Sequence, residues 1–423
     1  MRRAPLTMRE PLPEGARSVL FKPLKGPEPT TGSRSLKILF LNSYKIIMET
    51  LSKLKTLSYP EALLYVQSMK IPPVDAEEQL LRISNMKTTQ ALVPEPPIQP
   101  VRFEDYFKLI NPPLGEGAFG AIYKIIQTKE FHGKLLTTPI VAKIIIISGD
   151  KREFEESFKR EFAILKSVSK EACAEKVGIV CYYDAFPAMI GRTKGAHYRV
   201  IIMEFIAGTN MEDYTQKNRN AFRNALKFAP DLSIPNFIKL KIKQPELIDF
   251  MIQTANTLNF LHEREIVHRD IKLANIMKTK TGKYVFIDFG FSCFTRFGAY
   301  ACYANVVGSP GYASPELWRL NEIIAKTGVP TDYFKDVYEK ADVWALGICF
   351  YEVMYGDFPP EFRGGGLTEF KYAVINEDVV FPLTRSSELR NIVAKMLIRD
   401  WTKRAPIKEI LADISAYSAS VKQ

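Results

Sequence analysis

His268-Arg269-Asp270-Ile271-Lys272-Leu273-Ala274-Asn275 is followed, after a short apolar run, by Asp288-Phe289-Gly290. Two acids and an amide on neighbouring loops form the pattern that holds Mg²⁺ on a nucleotide while a base faces a hydroxyl. That is phosphoryl-transfer chemistry. The signal rests on position, order and spacing together, since a bare His-Arg-Asp or Asp-Phe-Gly would mean little.

Upstream, Leu114-Gly115-Glu116-Gly117-Ala118-Phe119-Gly120-Ala121-Ile122 contains GxGxxG, which alone is weak. In a dinucleotide-binding fold the motif would open a helix. Here the alternating, β-branched Ile122-Tyr123-Lys124-Ile125-Ile126 follows, which places the glycines on a hairpin between strands. Backbone amides can approach phosphate oxygens there without Cβ atoms in the way. Lys143 lies in the apolar strand Ile140-Val141-Ala142-Lys143-Ile144, where an inward charge needs a partner. Glu161, on the helix that follows, is the best candidate; Glu153, Glu155 and Glu156 better suit a solvated face.

Together these stretches resemble the eukaryotic-type protein kinases, over about residues 103 to 415, and Lys272, two residues after Asp270, is similar to the serine/threonine branch. The resemblance implies an α+β, two-lobed protein kinase fold: a small β-rich N-lobe with one main helix (about 103–205) and a larger, mostly helical C-lobe (about 206–415). It implies ATP with Mg²⁺, or Mn²⁺ in its place, and transfer of the γ-phosphate to Ser/Thr hydroxyls of protein substrates. By the same resemblance Lys143 orients the α and β phosphates and Glu161 holds it. Residues Leu114 to Ile122 cover the nucleotide, backbone groups of Glu204 and Ile206 meet the adenine edge, and Met277 closes the pocket from below. Asp270 accepts or orients the substrate hydroxyl proton, Lys272 stabilises the transferring phosphate, and Asn275 and Asp288 hold the metal. His268 is a packing residue beneath Phe289, Ser309 bonds the catalytic aspartate, and Arg404 pairs with Glu316. One departure is Val141, where the family usually has Ala two residues before the lysine.

The bulk numbers agree with a folded enzyme. The chain has 423 residues, 46% hydrophobic and 25% charged, ordinary for a globular protein. Five cysteines form no CxxC pair and are odd in number, which predicts reduced thiols rather than a disulfide framework or a structural metal site. No run approaches the length of a membrane span and the start lacks the apolar stretch of a secretory signal, so a soluble, intracellular protein is expected. The net charge of +11 is local: residues 1–37 carry a surplus of five cations and residues 215–243 a surplus of six. Nucleic-acid binding is not favoured, since no aromatic interleaving accompanies these runs.

Residues 1–36, rich in Pro, Gly, Ser and Arg, read as a disordered basic arm. Residues 37–100 read as a helical extension ending in the Pro-rich linker Val93 to Pro100. Strands are predicted at Tyr106–Ile110, Ala121–Gln127, Ile140–Ile147 and Arg199–Phe205, and helices at Phe154–Val168, Leu247–His262 and Asp342–Tyr355. The intact motif set argues against the alternative, a catalytically silent kinase-fold scaffold. Arg269 suggests a phosphate-responsive loop with Ser292, Thr295, Tyr300 and Tyr303 as candidate acceptors. Ser157 and Cys293 stand where supporting cations would be needed, so weak dependence on loop phosphorylation is expected. Asn210 and Ala274 lack the acids that, by the resemblance, select upstream arginine, and the cations of Lys217 to Lys243 read first as a solvated loop and, in the sharper reading, as a surface that favours acidic flanks in the substrate.

Overall fold

The structure, a computed structural model, describes residues 100–117, 120–147, 151–175, 177–191, 198–218, 243–295, 308–320, 334–363 and 366–421. The basic arm, the helical extension and the linker up to residue 99 lie outside the described residues, as do Tyr300, Tyr303 and most of the basic 215–243 segment.

The chain begins in a six-stranded sheet. Its strands are β1 (Val101–Arg102), β2 (Phe107–Gly117), β3 (Gly120–Gln127), β4 (Ile140–Ile146), β5 (Tyr182–Met189) and β6 (Tyr198–Glu204), in the order β1-β5-β6-β4-β3-β2. Neighbours are antiparallel except β1, which lies parallel to β5. Alternation decides what each face carries. Val141 and Ile145 of β4 point to the side packed by helix α1 (Lys151–Glu175), against Phe158, Ile164, Leu165 and Val168. Ala142 and Ile144 point to the opposite side, where Phe103, Phe107, Phe131 and Phe186 form an aromatic cluster. Lys143 shares the face of Val141 and Ile145, so the strand itself aims the lysine at α1.

The predicted strands are present with ends moved by a residue or two, apart from β2, which runs on through the glycine-rich stretch. Helix α1 is longer than the predicted Phe154–Val168 at both ends. Strand β5 was not expected from sequence. Its Pro187 cannot donate to a ladder, and it is tolerated because β5 has β6 along one side and only the two-residue β1 along the other.

Beyond β6 the fold is mainly helical. Helix α2 (Gln244–Glu263) and helix α3 (Phe334–Tyr355) are buried along much of their length, with Trp344, Leu346, Phe350 and Met354 fully enclosed. Helices α4 (Leu367–Asn376), α5 (Ser387–Met396) and α6 (Ile407–Ser420) surround them. Short strands β7 (Gly208–Asn210), β9 (Ile276–Thr279) and β10 (Tyr284–Phe286) form one small sheet, and β8 (Ile266–Val267) with β11 (Cys293–Phe294) another. The two loops with the opening motifs leave these strands. The architecture is the expected α+β arrangement of a β-rich lobe and a helical lobe.

The Arg404 guanidinium, 1% exposed, donates to Glu316 Oε1 at 2.6 Å and Oε2 at 3.0 Å, and lies over the Trp344 ring. The thiol expectation requires correction. Cys173, near the end of α1, is joined by a disulfide to Cys181, just before β5, with their Cα atoms 5.5 Å apart. The turn between helix and strand brings residues eight positions apart within a disulfide's reach, a proximity that a cysteine count cannot see. Cys349 is a free thiol, buried in α3.

Candidate active site

The sheet, α1 and the loop after β10 meet at Lys143. Its Nζ donates to Glu161 Oε1 at 2.7 Å and Oε2 at 2.9 Å, and to Asp288 Oδ1 at 2.8 Å. Burial alone would make the ammonium easier to deprotonate, but Asp288 and then Glu161 outweigh it and raise the Lys143 pKa. The protein packed around its one shielded side opposes ionisation of Asp288, yet the adjacent Lys143 holds its carboxyl down at about 2. Asp288 sits at φ 63°, a left-handed conformation unfavourable for a residue with a side chain and commonest where function demands it. Its side chain is 42% exposed, whereas that of Glu161 is 2% exposed. One carboxylate therefore anchors the lysine while the other opens to the cleft.

The catalytic-loop candidates form a second network. Asp270, 5% exposed, accepts from Asn275 Nδ2 at 2.9 Å and pairs with Lys272 Nζ at 2.8 Å, both through Oδ2. Its Oδ1 accepts from Ser309 Oγ at 2.9 Å, and Ser309 in turn accepts from Lys272 Nζ at 2.8 Å. Asn275 spends its amide hydrogens on Asp270, so its Oδ1 is the atom left to accept. The loop backbone is held by Asp342 of α3, whose carboxylate accepts from the His268 N–H at 2.7 Å and the Arg269 N–H at 2.8 Å. The sequence marks Asp342 only as the start of the predicted helix Asp342–Tyr355 and gives no sign of this supporting task. His268 packs on the Phe289 ring at 4.9 Å.

The glycine-rich stretch is the β2–β3 hairpin: Gly115 pairs with Ile122, Glu116 with Ala121 and Gly117 with Gly120. Leu114, before these pairs, is exposed; Ala118 and Phe119 lie outside the described residues. At Gly120, φ is 146° and a Cβ would fall 2.0 Å from the Ile144 carbonyl oxygen, so only glycine fits against β4. At Gly115 a Cβ would meet nothing within 4 Å. At the stretch expected to meet adenine, Glu204 ends β6 and its N–H donates to the Cys181 carbonyl, while the Ile206 N–H has no backbone acceptor among the described residues. Met277 on β9 is half-buried against the main core, and Val141 faces the same core from above.

Two candidate phosphate acceptors are enclosed. Ser292 Oγ donates to the His268 carbonyl at 3.1 Å and Thr295 Oγ1 to the Glu265 carbonyl at 3.2 Å, and both residues are buried. Arg269 is directed toward the same stretch, donating to the Phe291 carbonyl at 3.3 Å. Ser157 on α1 reaches the Gly290 carbonyl at 3.5 Å, the limit of a hydrogen bond. Among the described residues no group of three or more His, Cys, Asp or Glu side chains is arranged for a metal ion, and no helix is long and apolar enough to cross a membrane.

Comparison with known proteins agrees with this geometry. The chain is 25% identical over 311 residues to the serine/threonine-protein kinase atg1 of Dictyostelium discoideum, covering 72% of this chain and 38% of that protein. It is 26% identical over 319 residues to an Aurora kinase of Eremothecium gossypii, covering 75% of this chain and 71% of the relative. The family model described as the protein kinase domain matches residues 110–414, a span that takes in the glycine hairpin, both loops and Arg404. By that match the chain belongs to the protein kinase domain family.

Proposed function

We propose that the chain is an ATP- and Mg²⁺-dependent serine/threonine protein kinase, with the activity carried by residues 103–415. The observation that supports this most is the position of Lys143, in hydrogen-bond contact with Glu161 of α1 and Asp288 of the loop after β10 at once. One cation thereby joins three elements that must meet for phosphates to be held.

In this reading the Lys143 ammonium orients the α and β phosphates and Glu161 keeps it in place. The hairpin from Leu114 to Ile122 closes over the nucleotide, and the Ile206 N–H and Glu204 backbone bind the adenine edge above Met277. Asp288 and Asn275 offer an ionised carboxylate and an amide oxygen, a donor set that fits a hard cation arriving on the nucleotide. Bound there, Mg²⁺, or Mn²⁺ in its place, supplies charge neutralisation on the phosphates. Asp270 orients the substrate hydroxyl and takes its proton as the oxygen attacks the γ-phosphorus and the bond to the β-phosphate oxygen breaks. Lys272 stabilises the charge on the phosphoryl group in flight. Ser309, bonded to both, keeps Asp270 and Lys272 in register.

Asp270→Asn should leave Mg²⁺·ATP affinity within about threefold while transfer to Ser/Thr peptides falls by on the order of 10²-fold or more. Wild-type transfer rates by the purified variant would refute the mechanism. The preferred substrates carry acidic flanks in this reading. Asn210 spends its side chain capping the following turn through Asp213, Ala274 is uncharged, and the sequence from 217 to 243 carries seven Lys/Arg against one acid. A positional-scanning peptide array tests this: acidic selection should fade with added salt, and selection for upstream arginine would overturn it.

A further inference from the structure

Glu161 and Cys173 lie on one row of α1. Steps of four residues run Glu161, Leu165, Ser169, Cys173, the inclined ridge along which helical side chains stack. Three of the four are tied to a neighbour. Glu161 holds Lys143, Ser169 accepts from the Tyr182 N–H at 2.8 Å and donates to the Tyr182 carbonyl at 3.1 Å, and Cys173 is bonded to Cys181. Leu165, between them, is 1% exposed. Twelve residues of helix span roughly 18 Å, so movement at the cysteine end is passed stiffly to the glutamate.

Cys181 leads to the other wall of the site. Its N–H donates to Glu204 Oε1 at 2.7 Å, and its carbonyl accepts from the Glu204 N–H at 2.9 Å. Glu204 is the residue at the adenine edge. One covalent bond therefore connects the helix that holds the phosphate-side lysine to the strand end that presents the hinge. Cys173 is exposed and Cys181 half-buried, which leaves the bond open to small thiols and disulfides.

We propose that Cys173 and Cys181 form a thiol–disulfide exchange site that takes low-molecular-weight disulfides such as oxidised glutathione, and that closing the bond strengthens Mg²⁺·ATP binding by fixing α1 against the hinge. The Cys173 thiolate attacks one sulfur of the glutathione disulfide, forming a mixed disulfide and releasing one glutathione thiolate. The Cys181 thiolate then attacks the Cys173 sulfur, forming the internal bond and releasing the second. Two protein thiols lose two protons and two electrons, and glutathione disulfide is reduced to two glutathione thiols. The proposal rests on the kinase reading of the site.

The test uses the full chain equilibrated in glutathione buffers from fully reduced to fully oxidised. Peptide mapping under non-reducing conditions follows the Cys173–Cys181 linkage, and Mg²⁺·ATP titration and hydrogen exchange of the 161–173 peptides are measured on the same samples. The oxidised form should bind ATP on the order of fivefold more tightly, the lower range of coupling between two sites, with slower exchange in α1. Both changes should track the mapped linkage. Cys173→Ser and, separately, Cys181→Ser should bind like the reduced protein in every buffer. Equal ATP affinity in the two states, a redox response that survives in either variant, or a linkage that fails to form in oxidised glutathione would each overturn the proposal. No ATP binding in any buffer would instead overturn the kinase reading itself.

Discussion

Removing Glu316 isolates a cation in the interior. In Glu316→Ala the Arg404 guanidinium, 1% exposed, loses both carboxylate bonds and keeps its bonds to the Ile398 carbonyl at 2.9 Å and the Lys340 carbonyl at 2.7 Å. Breaking a buried ion pair from one side costs about 3–5 kcal/mol. The surviving carbonyl contacts argue for the lower end. Against that, the Lys340 ammonium, whose pKa burial and then Arg404 depress, would feel the unneutralised guanidinium more strongly. A loss of about 3 kcal/mol follows, which lowers the melting temperature by roughly 4–5 °C for a domain of this size. Thermal unfolding followed by circular dichroism reads it directly. The paired replacement Glu316→Leu with Arg404→Met removes both charges and should recover much of the loss, since apolar substitutes for an ion pair are often near neutral. A melting shift under about 2 °C for Glu316→Ala, or a double variant as unstable as the sum of the singles, would refute the reasoning.

His268 makes stability depend on pH. Burial, opposed by Asp342 and Asp270, lowers its pKa below the ordinary 6.5, so the folded state refuses a proton that the unfolded chain accepts. Stability is unaffected above about pH 6.5 and falls below it, by up to ~1.4 kcal/mol per pH unit, until the lowered folded pKa is reached. Urea unfolding between pH 7.5 and 5 should show this slope in the wild type and a shallower one in His268→Phe; parallel curves would exclude it. Dephosphorylation should change activity little, because Ser292 and Thr295 are enclosed and α1 is already seated by Glu161. Phosphatase-treated protein that loses nearly all transfer, and regains it only on rephosphorylation, would contradict this.

The parts legible in the sequence are those in which a local pattern and a chemical need coincide. Ile140 to Ile146 is a strand by its β-branched content, and the lone lysine within it announces an inward partner, which the next helix supplies at Glu161. The two loops carry their own signature in Asp270, Asn275 and Asp288. What escaped depends on contacts distant in sequence. Strand β5, with Pro187 inside it, is a strand only because β6 lies beside it. Strands β7, β9 and β10 are three or four residues long, too short for any period to register. The disulfide and the grip of Asp342 on the loop backbone exist only once the chain has turned back on itself.

That grip has a consequence for synthesis. The amides of His268 and Arg269 are held by a residue 74 and 73 positions later, and Glu316 is locked by an arginine 88 positions later. A ribosome adds residues at about 5–20 per second, so a chain that has just finished its catalytic loop waits several seconds for the side chains that fix it. The N-lobe can complete its sheet in that interval, and α1 can offer Glu161 to Lys143. The backbone of His268 and Arg269 gains its carboxylate anchor only when α3 has emerged and docked, so the loop takes its final form among the last parts of the fold.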